Sequence, residues 1–236
     1  MKSMEMTRRA FVAAGALALA GCGQRGEFVN EDVVAPDSMP DDVDDDSAED
    51  GTETAETPDA APAASGTLVA YYSRADENYA DGGREWLDVG HTKVMAGYIA
   101  ETLGADTYEI VPTQAYPEGY DDCCDVALQE QHDDARPAIA DALPDISGYD
   151  LVFIGCPIWW GEEPMIVRTF IEGVDLAGKT VVPFTTHGGS GLGSVPSNLQ
   201  TALPDVQVLD GYAVAGTSVD GARDEVVSWA KGLVQA

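Results

Sequence analysis

From residue 67 to the end of the chain, short apolar segments alternate with segments of helical spacing, and this alternation most constrains the fold. Residues 67–72, 149–155 and 179–185 are rich in Val, Ile, Phe and Tyr, as buried strands are. Residues 92–103 carry apolar side chains three and four positions apart, as amphipathic helices do. Strands that alternate with helices form a parallel sheet covered on both faces, so we expect an α/β fold.

The remaining elements complete a three-layer α/β/α sandwich around a five-stranded parallel sheet. Residues 106–111 and 206–213 are the second and fifth predicted strands, and further helices are predicted over 120–135, 164–172, 195–202 and 220–234. Pro183 is a blemish in the fourth strand, because proline has no N–H to donate in a central position.

The first 22 residues have the features of an export signal. Three basic residues among the first nine precede an apolar stretch over residues 10–20, which has the length of a signal-peptide core. The segment Thr-Arg-Arg-Ala-Phe-Val at residues 7–12 resembles the twin-arginine signal, whose machinery exports folded proteins. The alternative is a buried helix with a chance cysteine.

A lipid anchor is expected at the end of this segment. Leu-Ala-Gly-Cys at residues 19–22 resembles the lipobox of bacterial-type lipoproteins. The resemblance implies cleavage before Cys22 and a diacylglycerol on its sulfur, and two acyl chains are enough for stable anchoring. We therefore expect a protein anchored to the cell membrane on its extracytoplasmic face.

An acidic tether is predicted between this anchor and the folded domain, which begins at residue 67. Residues 23–66 contain 14 acidic residues and one basic residue, Arg25. Such a segment has too little apolar surface to offset its ordering entropy, so we expect it to be disordered. The formal charge of the whole chain is −30, which argues against nucleic acid as a partner.

Ligands of parallel sheets bind at the carboxyl ends of strands, so the loops after strands one, three and four should carry function. The first loop contains Ser73 and leads through Gly90 to Thr92, where a helix begins. Two hydroxyls and a helix N-terminus can hold a phosphate. The alternative is an ordinary N-cap by Thr92 on a surface loop.

The second and third loops are suited to a planar ligand. Residues 155–161 read Gly-Cys-Pro-Ile-Trp-Trp-Gly, so one tryptophan could pack inward while the other lies flat on the ligand; alternatively both seal the core. Residues 185–193 read Thr-Thr-His-Gly-Gly-Ser-Gly-Leu-Gly, and this many glycines indicates backbone close to a ligand. The spacing differs from the dinucleotide fingerprint G-x-G-x-x-G.

Taken in order, these motifs resemble the flavodoxin-like family, in particular a long-loop branch of it. The resemblance covers residues 67–236 and implies flavin mononucleotide (FMN) as cofactor. It implies that Ser73, Arg74, His91 and Thr92 surround the phosphate. The family usually has Asn at the position of His91, which can also donate to a phosphate.

The resemblance also implies which residues flank the isoalloxazine ring. Those on one side are Pro157, Ile158, Trp159, Trp160 and Gly161. Those on the other side are Thr186, His187, Gly188, Gly189, Ser190 and Gly191. Further contacts are expected from Asn78 and Tyr79 in the long excursion over residues 75–89.

The cysteines and remaining histidine are expected to play no part in the site. Cys123 and Cys124 are adjacent, so they could form a vicinal disulfide or remain two free thiols on a helix, and ring strain favours the thiols. Cys156 is expected in the core, and His132 in solvent. No spacing typical of metal ligands is present in the sequence, so no metal is expected.

Three functions remain open at this point. The favoured one is an electron carrier that docks a redox partner protein or a small acceptor through its acidic face. The second is an FMN-dependent reductase that passes electrons from NAD(P)H to a quinone-type acceptor. The third is a binding module that keeps the fold without the flavin.

Overall fold

The computed structural model describes residues 66–80 and 82–234. The predicted export signal, Cys22 and all of the tether except Gly66 lie outside these residues. Within the described part of the chain, no helix is long and apolar enough to cross a membrane.

The structure contains eight strands and five α-helices over the described residues. The strands are β1 (Thr67–Tyr71), β2 (Asp76–Ala80), β3 (Gly83–Leu87), β4 (Asp106–Glu109), β5 (Leu151–Pro157), β6 (Thr180–His187), β7 (Gln207–Val208) and β8 (Tyr212–Ala215). The helices are α1 (His91–Leu103), α2 (Tyr120–His132), α3 (Met165–Gly173), α4 (Val195–Ala202) and α5 (Arg223–Val234). A 3-10 helix, Gly216–Gly221, precedes α5.

The main sheet confirms the predicted α/β class. Its order is β4-β1-β5-β6, and both β7 and β8 pair with the far side of β6. Every pairing in this sheet is parallel, so β7 and β8 together occupy the fifth strand position. The helices lie on both faces, as the flavodoxin-like sandwich requires.

The fifth strand was predicted as one unit and is broken in two beside Pro183. Val181 pairs with Val208 and Phe184 with Tyr212, so three residues of the fifth position oppose two residues of β6. Pro183 lies in this interval and has no N–H to offer a neighbouring strand. The extra residue forms a local bulge where the hydrogen-bond ladder would otherwise fail.

Two apolar layers sandwich the sheet. On one face, α1 and α5 pack Met95, Ile99 and Val226 against Phe153 and Phe184. On the other face, α3 and α4 cover the sheet with a second set of buried side chains, among them Ile166, Phe170, Val195 and Leu199. Full burial of one such side chain is worth about 1.5–3 kcal/mol, so these layers hold the carboxyl edge of the sheet in place.

The long excursion after β1, predicted as a loop, is a β-hairpin. β2 and β3 pair antiparallel, from Asp76 opposite Leu87 to Ala80 opposite Gly83. The sequence Asp-Gly at residues 81–82 joins them, and Asp-Gly is a favoured pair for a two-residue hairpin turn. The hairpin stands apart from the main sheet as a separate two-stranded unit.

Candidate functional site

The N-terminus of α1 forms the first wall of the site. The helix begins at His91 with Gly90 as N-cap, and glycine has no side chain that could cap the helix. Instead, the Ser73 hydroxyl accepts a hydrogen bond from the Lys93 amide at 3.0 Å. A Cβ at Gly90 would collide with the Ser73 hydroxyl and the Arg74 carbonyl, so this close approach requires glycine.

Thr92 is a residue of the helix and not its N-cap. Its side chain is buried, and its Oγ1 lies 2.7 Å from Thr186 Oγ1 at the end of β6. Thr186 also accepts a hydrogen bond through its carbonyl from the Ile158 amide at 3.0 Å. Thr186 therefore joins the first, second and third loops at the carboxyl edge of the sheet.

Arg74 is buried beside this wall, and its guanidinium is directed to backbone carbonyls. Its Nη1 donates to the Glu77 carbonyl, and its Nη2 donates to the carbonyls of Pro117 and Glu118 at 2.7 Å each. Its Nε is buried without a hydrogen-bond partner among the described residues. The Cys123 thiol lies close to it; burial raises the pKa of this thiol to about 11, and the Arg74 charge acts in the opposite direction.

His91 faces the segment that follows β8. A Cβ at Gly216 would collide with its imidazole ring, which places the ring against the start of the 3-10 helix. Burial lowers the pKa of His91, while the nearby carboxylates of Glu85 and Asp220 act in the opposite direction. The ring can still donate one hydrogen bond in its neutral form.

The two tryptophans of the second loop point to different environments. Trp159 is half-buried and packs edge-on against Tyr72 and Tyr116, with ring centroids 5.4 Å and 4.9 Å away. Trp160 is 53% exposed, and its indole N–H donates to the Cys124 carbonyl of α2 at 3.0 Å. The geometry therefore separates a core tryptophan from one that is available to a ligand.

A tight turn produces this separation. The Trp159 amide donates to the Glu162 carbonyl at 2.9 Å, and the Glu162 amide returns the bond at 3.0 Å. Trp160 and Gly161 have φ of 50° and 86°, as the central residues of a type I′ turn do. The Gly161 carbonyl accepts from the Ser194 amide at 2.8 Å, which connects this turn to the end of the third loop.

The third loop is held by its own polar groups. The Thr185 hydroxyl donates to the Gly191 carbonyl at 3.0 Å, and His187 Nδ1 accepts from the Gly189 amide at 2.9 Å. Burial lowers the pKa of His187. Gly188, Gly189 and Ser190 are exposed at the rim, where their backbone can approach a ligand.

The hairpin brings Tyr79 to the third loop. A Cβ at Gly188 would lie 2.9 Å from Tyr79 Cδ1, so the two residues are in contact. Tyr79 is 42% exposed. Asn78 is occupied locally, because its side-chain amide donates to the carbonyls of Ala75 at 2.9 Å and Asp76 at 3.1 Å.

The structure thus gathers most of the predicted residues at one edge, and it adds residues that the sequence reasoning missed. Pro157 ends β5 there, and Ile158 follows it, directly before the turn that holds Trp160 and Gly161. The additions are Tyr72, Tyr116, Tyr120 and Cys124, which support the tryptophans or the hairpin. No local pattern marks them, since their roles depend on contacts between distant segments; Asp-Gly at residues 81–82 could have revealed the hairpin.

The thiols and a cavity beside α3 lie outside the ligand-facing part of this edge. Cys123, Cys124 and Cys156 are free thiols, and Cys123 and Cys156 are buried. A cavity of about 200 Å³ between α3 and α4 is lined by Arg136, Glu163, Arg168 and Asn198 among others, none of which belongs to the three loops. Arg136 pairs with Glu172, and Arg168 pairs with Glu163, which also accepts a hydrogen bond from Asn198. We therefore place the site at the loops, where chemistry and topology agree.

A model of the flavodoxin family matches residues 86–233. This match covers more than half of the chain, so the chain belongs to the flavodoxin family. Within the solved structures, two described as flavoproteins, from Bacteroides uniformis and Bacteroides eggerthii, are 35% and 34% identical to it, with TM-scores of 0.56 and 0.54. The matched regions make up 70% and 68% of this chain, and 97% and 96% of those two chains.

A curated flavodoxin from Maridesulfovibrio salexigens is also similar. It is 29% identical over 156 residues, which correspond to 61% of this chain and 89% of that protein. The similarity therefore covers most of the length of that flavodoxin.

Proposed function

We propose that this protein binds FMN at the carboxyl edge of β1, β5 and β6 and serves as an electron carrier. The observation that carries the proposal is the double role of Thr186. Its hydroxyl meets Thr92 at the helix N-terminus, and its carbonyl meets the Ile158 amide next to the tryptophan turn. A phosphate site and an aromatic site are thereby joined in one rigid frame.

The phosphate end fits the cofactor. The N-terminus of α1 presents backbone N–H groups and partial positive charge. A side chain at Gly90 would collide with Ser73 and with the Arg74 carbonyl, so glycine lets the loop after β1 pack directly against this helix N-terminus. Ser73 lies at this end, and His91 begins the helix as a residue able to donate one hydrogen bond. These groups would hold the phosphate.

The ring end fits a planar group. Trp160 is exposed while its indole N–H is fixed by the Cys124 carbonyl, so the ring is presented in one orientation. Tyr79 and the glycines of the third loop form the opposite rim. FMN would supply the electron-transfer chemistry, and the protein would orient the ring, limit its access to water and set the surrounding charge.

The charge of the domain supports the carrier over a nicotinamide-dependent enzyme. Residues 67–236 contain 27 acidic and 8 basic residues, a net formal charge of −19. Such a field repels an anionic nicotinamide nucleotide and attracts a redox protein with a basic face. An acidic docking surface is therefore part of the proposal.

The same proposal places the carrier outside the cytoplasm. The twin-arginine and lipobox patterns support export and a lipid on Cys22, which would attach the protein to the cell membrane. The acidic segment over residues 23–66 would then act as a spacer between the membrane and the flavin domain.

The decisive experiment is to purify the protein, record its absorption spectrum and identify the heat-released cofactor by mass. We expect a yellow protein with about one FMN per chain, as a single site of this kind predicts. A chain that contains FAD instead, or that stays colourless after reconstitution with FMN, would refute the proposal.

A further inference from the structure

Arg74 has an arrangement that a phosphate ligand does not need. It lies directly after β1, it is 7% exposed, and three of its hydrogen bonds go to carbonyls of other segments. One of these carbonyls, that of Glu77, belongs to β2, while those of Pro117 and Glu118 immediately precede α2. The guanidinium therefore connects the hairpin to the segment that starts α2.

Other contacts strengthen the same junction. The Glu77 amide donates to the Glu118 carbonyl at 3.2 Å, and the Glu77 carboxylate accepts from the Tyr120 amide at 2.9 Å. Further along the hairpin, Arg84 stacks over the Tyr120 ring at 3.9 Å and pairs with Asp121 at 2.7 Å. Arg74 is the buried member of this set, whereas the Arg84–Asp121 pair is exposed to solvent.

The consequence reaches the cofactor site through Tyr79, which is two residues beyond Glu77 on the same strand. Tyr79 contacts Gly188 of the third loop and lies 6.4 Å from the Tyr120 ring. If the hairpin moves away from α2, Tyr79 leaves the rim of the site. Buried hydrogen bonds made by a charged group are worth more than neutral ones, so Arg74 has the larger share in preventing this movement.

We propose that Arg74 is a positioning residue that clamps the β2–β3 hairpin to the start of α2 and so keeps Tyr79 at the rim of the flavin site. This inference rests on the proposed flavin site. It assigns Arg74 to the hairpin and not to the phosphate, although the resemblance to flavodoxins implied a phosphate contact.

The test compares two ligands that differ only in the phosphate, FMN and riboflavin. In the full chain, Arg74→Gln should weaken the binding of both by the same factor, about tenfold or more. Hydrogen exchange of the amides of residues 76–88, measured without flavin, should accelerate by a similar factor. Arg74→Lys should not restore either property, because one ammonium group cannot reach carbonyls in two segments.

The matched control is Arg223→Gln, an arginine of α5 that lies outside the hairpin and the three loops. It removes an exposed ion pair with Glu101, so both ligand affinities should stay within about twofold of the wild type. Weakened FMN binding with unchanged riboflavin binding in Arg74→Gln would make Arg74 a phosphate ligand and overturn the proposal. Unchanged hydrogen exchange of the hairpin would overturn it as well.

Glu77→Ala provides a second test if the Arg74→Gln chain does not fold. It removes the carboxylate that accepts from the Tyr120 amide, so it loosens the same junction from the hairpin side and should weaken the binding of both ligands equally. Faster hairpin exchange in Glu77→Ala with unchanged affinities would refute the role of the hairpin. If the wild type binds neither ligand, the proposed function fails, and the exchange rates of Arg74→Gln still decide whether Arg74 is the clamp.

Discussion

Thr92 and Thr186 lie 94 positions apart in the chain, and their buried hydroxyl oxygens are 2.7 Å apart. One is in the first turn of α1 and the other is near the end of β6. Each hydroxyl needs the other, because a buried polar group without a partner costs free energy. The pair therefore ties the helix N-terminus to the loop that would line the other side of the ligand.

Removing one hydroxyl of this pair should lower the free energy of unfolding by more than half of the loss caused by removing both. Thr186→Val leaves Thr92 unpaired, so we expect the free energy of unfolding to fall by about 1–3 kcal/mol. In the double variant with Thr92→Val, the loss should be smaller than the sum of the two single losses. Urea denaturation of the flavin-free protein measures this. Thr201→Val is the control, because it removes an exposed threonine hydroxyl outside this pair. Losses of Thr92→Val and Thr186→Val that are strictly additive in the double variant would contradict the pairing.

The two tryptophans should respond differently to alanine. Trp160→Ala should weaken FMN binding by about 1–3 kcal/mol, the range for one base stacked on an aromatic side chain, with little effect on folding. Trp159→Ala should lower the free energy of unfolding by about 2–3 kcal/mol, because it removes a half-buried ring from two edge-on contacts. Flavin titration and urea denaturation separate the two effects.

Trp86 provides the control for the tryptophan experiment. It is 59% exposed on the hairpin, so Trp86→Ala should change both quantities by less than about 0.5 kcal/mol. FMN affinity that is the same in Trp160→Ala and the wild type would exclude Trp160 from the ring contact.

Acid should destabilise the third loop through His187. Burial lowers its pKa below the ordinary value of 6.5, so the folded state favours the neutral ring. Its contribution to stability is complete above the unfolded pKa and is lost as the pH falls through the lower folded pKa. Protonation would also occupy Nδ1, which accepts from the Gly189 amide. FMN affinity should therefore decline below about pH 6.5.

A substitution that retains the acceptor tests this explanation. His187→Asn offers an amide oxygen in place of Nδ1 and does not titrate, so the acid-side decline in FMN affinity should become shallower. His132→Asn is the control, because the His132 side chain is 81% exposed and lies outside the three loops. Identical pH profiles for His187→Asn and the wild type would contradict a role for His187.

The negative charge of the domain should make reduction of the flavin harder. With 27 acidic and 8 basic residues in residues 67–236, the added negative charge is repelled, and salt screens this repulsion. One uncompensated charge contributes about 1 kcal/mol, or about 20 mV for a two-electron couple. The midpoint potential should thus be lower at low salt. Redox titrations at two salt concentrations measure it.

A steady-state assay with NADH, NADPH and a quinone distinguishes carrier from enzyme. The carrier should oxidise neither nicotinamide at an appreciable rate and should exchange electrons with a small basic redox protein. Rapid quinone reduction driven by NADH or NADPH would replace the carrier by the reductase.

The proposed lipid anchor leads to a prediction that can be tested in cells. Cys22→Ser should release the protein from the membrane fraction, because the sulfur that would carry the lipid is lost. Changing both Arg8 and Arg9 to Lys should block export and retain the folded protein in the cytoplasm. Fractionation followed by mass analysis of the N-terminus checks both, and a Cys22→Ser protein that stays with the membrane would refute the anchor.

Local periodicity was enough to predict most of the described fold. The helix over Val195–Ala202 is found at its predicted bounds, and the other four α-helices differ from theirs by one to three residues at their ends. The fifth strand and the hairpin deviate for reasons of pairing. Pro183 interrupts the ladder because the neighbouring fifth strand finds no N–H donor at that position. β2 is a strand because β3 pairs with it.

The sequence by itself determined the alternation of strands and helices, and with it the edge of the sheet at which three glycine-, hydroxyl- and aromatic-bearing loops end. It did so because side-chain periodicity and glycine content act over a few neighbouring residues. Only the tertiary structure decided that Trp160 faces outward, that Thr92 meets Thr186, and that Arg74 reaches carbonyls 43 and 44 positions away. These outcomes depend on packing between distant segments, which no local pattern encodes.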